Sequence, residues 1–344
     1  MKKFILLVSL LVLFIACGKE ENSSKDSQVL YLYDWADYIP KEIFENFQKE
    51  TGIKVVEDIY SSNEEMFAKL KAGGKGYDIV VPSTDYVEIL MNDGMLEKLD
   101  KSKISTFENI DPMVLEKMQY FDKNNEYGVP YVMGATVIAV NKDYVKDYPR
   151  DYTIFERSDL AGRMTLLDDM REVMTSALGT LGYPQTVQDE KAISDAAELV
   201  KKWKKNIAKF DSESYGKGFA NGDFWVVHGY AENIFLELDD EQREKVDIII
   251  PEKGGTAYID SFAILKDAPN KDAAYKFIEF IHRPENYKVV AEHLGLPSIN
   301  VPARDYIGTE PMYEIDDLKN TEILRDIKST LDIQNKYWQQ IMVD

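Results

Sequence analysis

Cysteine and histidine are scarce in this chain, which limits the disulfide and metal chemistry available to it. The 344 residues include one cysteine and three histidines, His228, His282 and His293. A lone cysteine cannot form an internal disulfide, and the three histidines are too widely spaced for a recognisable zinc pattern. The sequence also lacks a Gly-x-Ser-x-Gly elbow, a Walker loop, a His-Glu-x-x-His motif and a Cys-x-x-Cys pair. We therefore expect neither a metal nor a cofactor.

Positive charge is in deficit. The chain has 41 Lys and Arg against 61 Asp and Glu, a formal net charge of -20. Such a field repels a phosphate backbone, so we do not expect a nucleic-acid partner. Solubility alone accounts for much acidic surface, so the charge does not by itself establish a cationic ligand. The content of hydrophobic residues, 44%, is typical of a globular protein, and 344 residues are enough for two domains.

The N-terminal residues have the pattern of an export signal. Lys2 and Lys3 precede a run over 4–16 that is apolar except for Ser9 and too short to span a bilayer. The run ends in Phe-Ile-Ala-Cys, which resembles a bacterial lipoprotein processing site although phenylalanine stands where leucine is usual. We expect 1–16 to be a signal peptide, with Cys17 lipidated and 17–27 a tether. The mature chain would then be anchored to a membrane, in the periplasm or on the outer cell surface. A coincidental free thiol is the alternative.

Beyond the tether, short apolar runs alternate with amphipathic stretches, which predicts an α/β fold. The predicted strands lie at 28–33, 53–59, 77–81, 133–140, 164–167, 224–227, 246–250 and 258–265, and the predicted helices at 40–50, 62–70, 172–182, 190–205, 271–281 and 284–294. Continuous apolar strands favour largely parallel sheets, whose ligands lie outside the carboxyl ends of the strands. Candidate site residues are therefore expected at those ends.

Carboxylates, aromatic rings and small hydroxyls follow several predicted strands. They are Asp34, Trp35, Asp37 and Tyr38 after the first strand, Ser83, Thr84, Asp85 and Tyr86 after the third, Asp168, Asp169 and Glu172 after 164–167, and Tyr258 and Asp260 within the strand near 258. A cleft that collects these groups would be anionic and lined by π faces. This chemistry suits an ammonium ligand.

Most of these residues also have a plain structural interpretation. Asp169 and Glu172 have the spacing of a helix capping box, and Ser83 could be a helix cap. Aromatic residues such as Trp35 and Tyr258 could belong to the core, while Asp37 and Asp85 could be solvated charges. Asp260 stands apart, because a carboxylate in an otherwise apolar strand needs a partner, and an exogenous cation is one possibility.

Seven segments resemble the spermidine/putrescine-binding (PotD-like) substrate-binding proteins of ABC transporters, in order through the whole mature chain. They are YDWADYI at 33–39, ETGIKV at 50–55, YDIVVPST at 77–84, YVMGAT at 131–136, DDMRE at 168–172, GTAYIDSFA at 255–263 and RPE at 283–285. The resemblance implies a two-lobed type II periplasmic-binding-protein fold with the ligand cleft between the lobes. It also implies discontinuous lobes, 28–133 with 259–300 as lobe 1 and 134–258 with 301–344 as lobe 2.

The resemblance further implies which residues contact the ligand. Positions that match or conservatively replace the contacts of the family are Trp35, Tyr38, Ser83, Asp169, Glu172, Tyr258 and Asp260. Asp260 matches the carboxylate that binds an amine, and Asp37 matches an acid of the putrescine-preferring relatives.

Several positions depart from the family pattern. Asp85 replaces a tyrosine, while His228 and Tyr258 replace tryptophans, so the aromatic box is thinner. Arg325 falls near a ligand-binding glutamine and would repel an ammonium group unless Asp85, Asp169 or Glu172 paired with it. An arginine in the cleft would favour a smaller polyamine, or an amine that also carries a carboxylate.

The function implied is that of a receptor without bond chemistry. It would capture a polyamine, close its lobes and deliver the ligand to a membrane permease driven by an ATPase. A receptor of the same fold for another amine or an amino-acid-like solute remains open. So do a glycosidase with carboxylates about 5–9 Å apart and an extracellular adhesion or signalling protein on the same scaffold. Preference among polyamines, oligomeric state and the identity of the permease do not follow from the sequence.

Overall fold

The computed structural model describes residues 29–343, so the predicted signal peptide and the whole predicted tether, including Cys17, lie outside the described residues. The described strands are β1 (Val29–Trp35), β2 (Lys54–Tyr60), β3 (Ile79–Val80), β4 (Gly128–Asn141), β5 (Met164–Leu166), β6 (Ile207–Phe210), β7 (Val226–Tyr230), β8 (Val246–Ile249), β9 (Thr256–Ile264) and β10 (Glu322–Ile323). Each of the eight predicted strands has a counterpart among them, shifted at most by a few residues at either end.

Helices separate most of these strands along the chain. They are α1 (Lys41–Thr51), α2 (Asn63–Lys71), α3 (Thr84–Asn92), α4 (Pro112–Met118), α5 (Met170–Thr180), α6 (Glu190–Lys204), α7 (Tyr215–Ala220), α8 (Ala231–Phe235), α9 (Asp240–Glu244), α10 (Lys271–Ile281), α11 (Pro284–Leu294) and α12 (Leu331–Val343). Short 3-10 turns occur at Lys101–Lys103, Ser105–Asn109, Tyr152–Glu156, Ser158–Leu160, Pro302–Asp305, Ile315–Leu318 and Lys328–Thr330. None of the described helices is long and apolar enough to cross a membrane.

Local sequence signals account for the first helices. Ile43 and Phe47 lie one turn apart on α1 and are fully buried, while Gly52 ends the helix in the left-handed conformation that glycine adopts without strain. At the start of α2 the Ser62 hydroxyl accepts the backbone N–H of Glu65 at 3.1 Å. The Glu65 carboxylate bonds the preceding Ser61 rather than the cap residue, so only half of a capping box forms.

The strands pair in the order β2-β1-β3-β9-β4-β7-β5-β6, with β10 beside β9 and β8 beside β4. Strand β4 changes partner along its length. Its residues Gly128–Ala135 pair with β9, whereas Thr136–Val140 pair with β7. The sheet is therefore two half-sheets joined through β4 and β9. The predicted lobe boundaries at 133/134 and 258/259 fall on these two strands, and the division into lobes stays a prediction.

The α/β class is confirmed, but the expectation of largely parallel sheets holds only within each half-sheet. Strands β1, β2 and β3 are parallel, as are β5, β6 and β7. Strands β4 and β9 pair antiparallel with each other, and they also pair antiparallel with β3, β7 and β8. The reason is topological, because one strand carries the chain out of the first half-sheet and the other brings it back.

Gly134 allows β4 and β9 to pack closely at the crossing. It is paired directly with Tyr258 of β9, and a Cβ atom built on it would overlap the phenol ring of that tyrosine. Tyr258 is only 5% exposed, so its ring has little room to move away. The crossing therefore requires a residue without a side chain at this position.

We predict that Gly134→Ala lowers the free energy of unfolding by about 1–3 kcal/mol, the usual cost of overpacking a filled core. Urea denaturation of the soluble chain measures this. Gly308→Ala is the matched control, because its new methyl group would lie 3.5 Å from a Glu292 carboxylate oxygen, an ordinary contact. Equal stabilities of the two variants would contradict the close approach at Gly134.

Candidate functional site

The ends of β1 and β3 are joined by aromatic side chains. The indole Nε1 of Trp35 donates to the carbonyl of Val81 at 2.9 Å, and the Tyr60 hydroxyl donates to the same carbonyl at 2.6 Å. The two rings also contact each other, with centroids 4.6 Å apart. Trp35 remains partly exposed, whereas Tyr60 is buried. This arrangement holds one face of the Trp35 indole at the carboxyl edge of the half-sheet.

Asp260, on the crossing strand β9, is the centre of the site. Its side chain accepts a hydrogen bond from the Tyr38 hydroxyl at 2.5 Å, and the Tyr38 backbone carbonyl in turn accepts one from Tyr131. The other carboxylate oxygen, Oδ1, is buried and has no hydrogen-bond partner among the described residues. A buried carboxylate with a vacant acceptor and no cation beside it is costly, which is the condition that a bound cation relieves.

Tyr258 connects Asp260 to a second group of acids. Its hydroxyl donates to Glu232 at the start of α8, and its ring meets that of Tyr230 edge-on at 5.6 Å between centroids. The Tyr230 hydroxyl donates to Asp169 at 3.3 Å. Because Glu232 and Asp169 both belong to the second half-sheet, Tyr258 carries the site across the boundary between the halves.

Asp169 caps α5, as its spacing predicted. Its side chain accepts the backbone N–H groups of Arg171 at 2.9 Å and of Glu172 at 3.1 Å. Glu172 does not complete the box but accepts a hydrogen bond from Thr256 on β9, at 2.6 Å. The capping function of Asp169 and its position beside the cleft are compatible, because its second oxygen faces Tyr230.

Burial raises the pKa values of these carboxyl groups. Loss of solvent is the largest cause in each case, and it raises the pKa of Asp260 to about 6 and that of Glu232 to about 7. The hydrogen bond from Tyr38 and the nearby Ser83 side chain lower the pKa of Asp260 and oppose part of this rise. For Glu172, burial and then the nearby Asp169 carboxylate raise the pKa. The site thus holds carboxyl groups that a positive charge would return to their ionised form.

Asp85 and Arg325 each have an internal partner. Asp85, on α3, forms an ion pair with Arg171 on α5, and both side chains are nearly buried. Arg325 contacts Glu88, also on α3, through Nε and Nη2 at 3.3 Å. Arg325 is therefore paired, but with Glu88 and not with Asp85, Asp169 or Glu172, the acids expected from the sequence.

Two further predicted contacts, Asp37 and His228, have other partners in the structure, and their role in the site stays a prediction. Asp37 is exposed, its backbone carbonyl accepts a hydrogen bond from His293, and its charge raises the pKa of Glu57. His228 is fully buried and meets the rings of Tyr152 and Phe155 edge-on. Burial lowers the pKa of His228 to about 3, so its ring stays neutral at pH 5. The structure therefore gives no reason to expect His228 to weaken cation binding as the pH falls toward 5.

Glu232 is the group that the sequence interpretation missed, although a signal for it exists. The predicted strand at 224–227 stops too early, because β7 continues to Tyr230. With the correct end, the rule that polar groups follow the strands would have included Glu232, two residues further along. Arg171 lies inside the DDMRE segment but was given no role.

No cluster of His, Cys, Asp and Glu in residues 29–343 could hold a metal ion. The acids of the site lie among tyrosines rather than around one point, which suits an extended organic cation better than a compact metal ion.

Comparison with known proteins shows which family this chain belongs to. Residues 42–316 match the model for bacterial extracellular solute-binding proteins. The spermidine/putrescine-binding periplasmic protein of Escherichia coli is 38% identical over 337 residues, 95% of each chain. The putrescine-binding periplasmic protein PotF of the same organism is 33% identical over 301 residues, covering 83% of this chain and 81% of PotF.

A solved structure agrees with the sequence comparison. The Tp0655 (TpPotD) lipoprotein of Treponema pallidum is 43% identical, with a TM-score of 0.88 over 91% of this chain and 99% of that one. The predicted resemblance to PotD-like proteins and the two-lobed fold are both confirmed. The half-sheet of β1, β2 and β3 falls within the residues predicted for lobe 1, and that of β5, β6 and β7 within the residues predicted for lobe 2. The chain belongs to the family of bacterial extracellular solute-binding proteins.

Proposed function

We propose that this protein is the extracytoplasmic receptor of a polyamine importer, and that it captures putrescine or spermidine between its lobes. The observation that carries the proposal is the buried Asp260 carboxylate, which has a hydroxyl partner on one oxygen and none on the other. The names of the relatives support the ligand class, since they specify spermidine and putrescine. The captured ligand would pass to a membrane permease driven by an ATPase.

The proposed binding site combines charge and aromatic surface. Asp260, Glu172 and Asp169 supply oxygens for the ammonium groups, while Trp35, Tyr38 and Tyr258 supply surface for the methylenes and Ser83 a hydroxyl. Each charge-assisted hydrogen bond contributes roughly 1.5–3 kcal/mol and each aromatic contact about 0.5–2 kcal/mol. Three or four such contacts correspond to micromolar affinity or better after the cost of association.

The arrangement of the lobes supports capture by closure. Asp260 and Tyr258 lie on a crossing strand, while Trp35 and Tyr38 come from lobe 1 and Asp169 and Glu172 from lobe 2. A ligand that bonds all of them makes more contacts with the closed protein than with an open one. Closure then follows from differential affinity, as in other hinge proteins.

Calorimetric titration of residues 18–344 tests this function directly. We expect putrescine, spermidine or both to bind with micromolar affinity or better, and Asp260→Asn to weaken binding by about tenfold or more because one charge-assisted bond is lost. Asp272→Asn is the matched control, because Asp272 is paired with Lys103 on the surface. No heat and no thermal shift with any polyamine at millimolar concentration would contradict the ligand class.

We also predict that polyamine affinity falls as the pH is lowered from 8 to 5. The ligand keeps its charge over this range, whereas Asp260 and Glu232 take up protons near pH 6 and 7 and lose their attraction for it. Calorimetry at several pH values measures the dependence, and Asp260→Asn should flatten it. The other groups electrostatically linked to Asp260 include Tyr38, Tyr258 and Asp34, and of these only Asp34 is a carboxyl group.

The ligand-free protein should show the opposite dependence in its stability. Both carboxyl groups have pKa values in the folded state above their unfolded values, near 4. Their contribution to stability is complete below pH 4 and is lost as the pH rises through about 6 to 7. A melting temperature that rises between pH 5.5 and 8 in the wild type, but not in Asp260→Asn, would contradict these assignments.

A lipid anchor completes the proposal. The supporting observations are the Phe-Ile-Ala-Cys segment ending at Cys17 and the description of the Treponema pallidum relative as a lipoprotein. We expect the protein expressed in a bacterial host to enter the detergent phase of a Triton X-114 partition, and Cys17→Ser to move it to the aqueous phase. Ser23→Ala, in the same tether, should behave like the wild type. An aqueous wild-type protein would contradict the anchor.

A further inference from the structure

Helix α3 of lobe 1 presents two carboxylates to two arginines of the other side of the cleft. Asp85 and Glu88 are three residues apart and therefore lie on one face of α3. Asp85 pairs with Arg171 at the start of α5, and Glu88 pairs with Arg325 near the C-terminal end of the chain. The Asp85–Arg171 pair is more deeply buried than the Glu88–Arg325 pair.

The Asp85–Arg171 pair is part of the cleft. The side chains are 4% and 11% exposed, compared with 12% and 31% for Glu88 and Arg325. Arg171 also lies against the ring of Tyr86, with its guanidinium carbon 5.2 Å from the centroid. Its backbone N–H is held by Asp169, which the Tyr230 hydroxyl connects to the Tyr258 end of the site. Arg171 is therefore held among Asp85, Asp169 and Tyr86, which we call the Asp85 end of the site, and the surroundings of Asp260 are the Asp260 end.

The guanidinium occupies an environment that would attract an ammonium group. The charges of Asp85, Glu64 and Asp169 all act on Arg171 and raise its pKa, and Tyr86 contributes a π face. Carboxylates with an aromatic ring are also the groups that the Asp260 end offers to the ligand. At the Asp85 end, however, the cation is supplied by the protein itself.

A ligand ammonium group that reached the Asp85 carboxylate would share its single negative charge with the Arg171 guanidinium. The internal pair is held in place because separating it would leave two uncompensated buried charges. A fixed guanidinium also repels a further positive charge brought near it. Any polyamine long enough to reach this end therefore meets an occupied and repulsive subsite.

We propose that Arg171 is a specificity-determining residue, a built-in cation on Asp85 that shortens the site and makes the protein prefer a diamine to a triamine. The inference rests on the proposed function and adds to it the length of the ligand. In the wild type the Asp85 carboxylate pairs with Arg171. It becomes available to a ligand ammonium group only when that arginine is replaced.

The experiment compares putrescine and spermidine affinities of residues 18–344 by calorimetry. Wild type is expected to bind putrescine more tightly. Arg171→Met should raise the affinity for spermidine relative to putrescine by about tenfold or more, because Asp85 becomes available to the additional ammonium group. The double variant Asp85→Asn/Arg171→Met should lose this gain. This result would show that the gain depends on the Asp85 charge and not on the volume freed by removing the arginine.

Arg283→Met is the matched control. It removes one guanidinium from an ion pair with Glu50 on the exposed surface of lobe 1, so it changes the net charge equally. Its spermidine-to-putrescine ratio should equal that of the wild type. Melting curves of all variants establish that each is folded at the temperature of titration.

The outcomes separate the two proposals. If the wild type binds a polyamine but Arg171→Met keeps the wild-type ratio, the role of Arg171 is wrong and the proposed function stands. If Arg171→Met loses affinity for every amine, Arg171 supports binding instead of limiting it, which also overturns the inference. A spermidine gain that survives in the double variant would show that size, not the Asp85 charge, is responsible. A wild type that binds no polyamine contradicts both proposals.

Discussion

The structure depends on one electrostatic constraint, the burial of carboxylates at the boundary between two lobes without enough internal cations to neutralise them. Asp260 has hydroxyl groups around it but no basic side chain among its hydrogen-bond and ion-pair partners in the described chain. Glu232 and Glu172 are likewise held by hydroxyls, from Tyr258 and Thr256. A hydroxyl donor stabilises a buried carboxylate less than a cation does. A positively charged ligand would therefore stabilise these carboxylates further.

Two acids on α3, Asp85 and Glu88, have arginine partners, in contrast to Asp260. Asp85 and Glu88 face lobe 2 and meet arginines there, so their charge is satisfied whenever the lobes are together. The cleft thus has an end where the protein neutralises its own acids and an end where it does not. In the proposed function, ligand recognition is therefore concentrated at the second end, on strand β9.

Much of the fold could be predicted from the sequence because its strands are short, apolar and bounded by polar residues. Helices α10 and α11 begin and end at the residues predicted, 271–281 and 284–294. Helix α12 was not predicted; it buries only Gln334 and Ile341, and it packs against α5 and α6, contacts that the local sequence does not specify. The antiparallel crossing of β4 and β9 depends on which strands share a sheet, and local periodicity does not contain that information.

The site was predictable to the extent that its residues follow strands. Tyr38 and Asp169 follow strands as the strand-end rule expects, whereas Tyr258 and Asp260 lie within β9 and were suggested by the acid in an apolar strand and by the family resemblance. His228 lies among aromatic rings that no local pattern distinguishes from a cleft. The partners of Asp85 and Arg325 were equally inaccessible, because each pair joins residues at least 86 positions apart. Pairings of that range are set by lobe packing and not by spacing.

Strand β4 has a consequence for how the molecule loses its structure. One continuous strand contributes seven paired residues within 128–135 to the β9 ladder and the next five residues to the β7 ladder. Fraying of either ladder removes the support that keeps the remainder of the strand extended, so melting in one lobe propagates into the other. Although the lobes are separate in shape, they form a single cooperative unit in thermal denaturation, and the bending that admits a solute is confined to torsions that preserve both ladders.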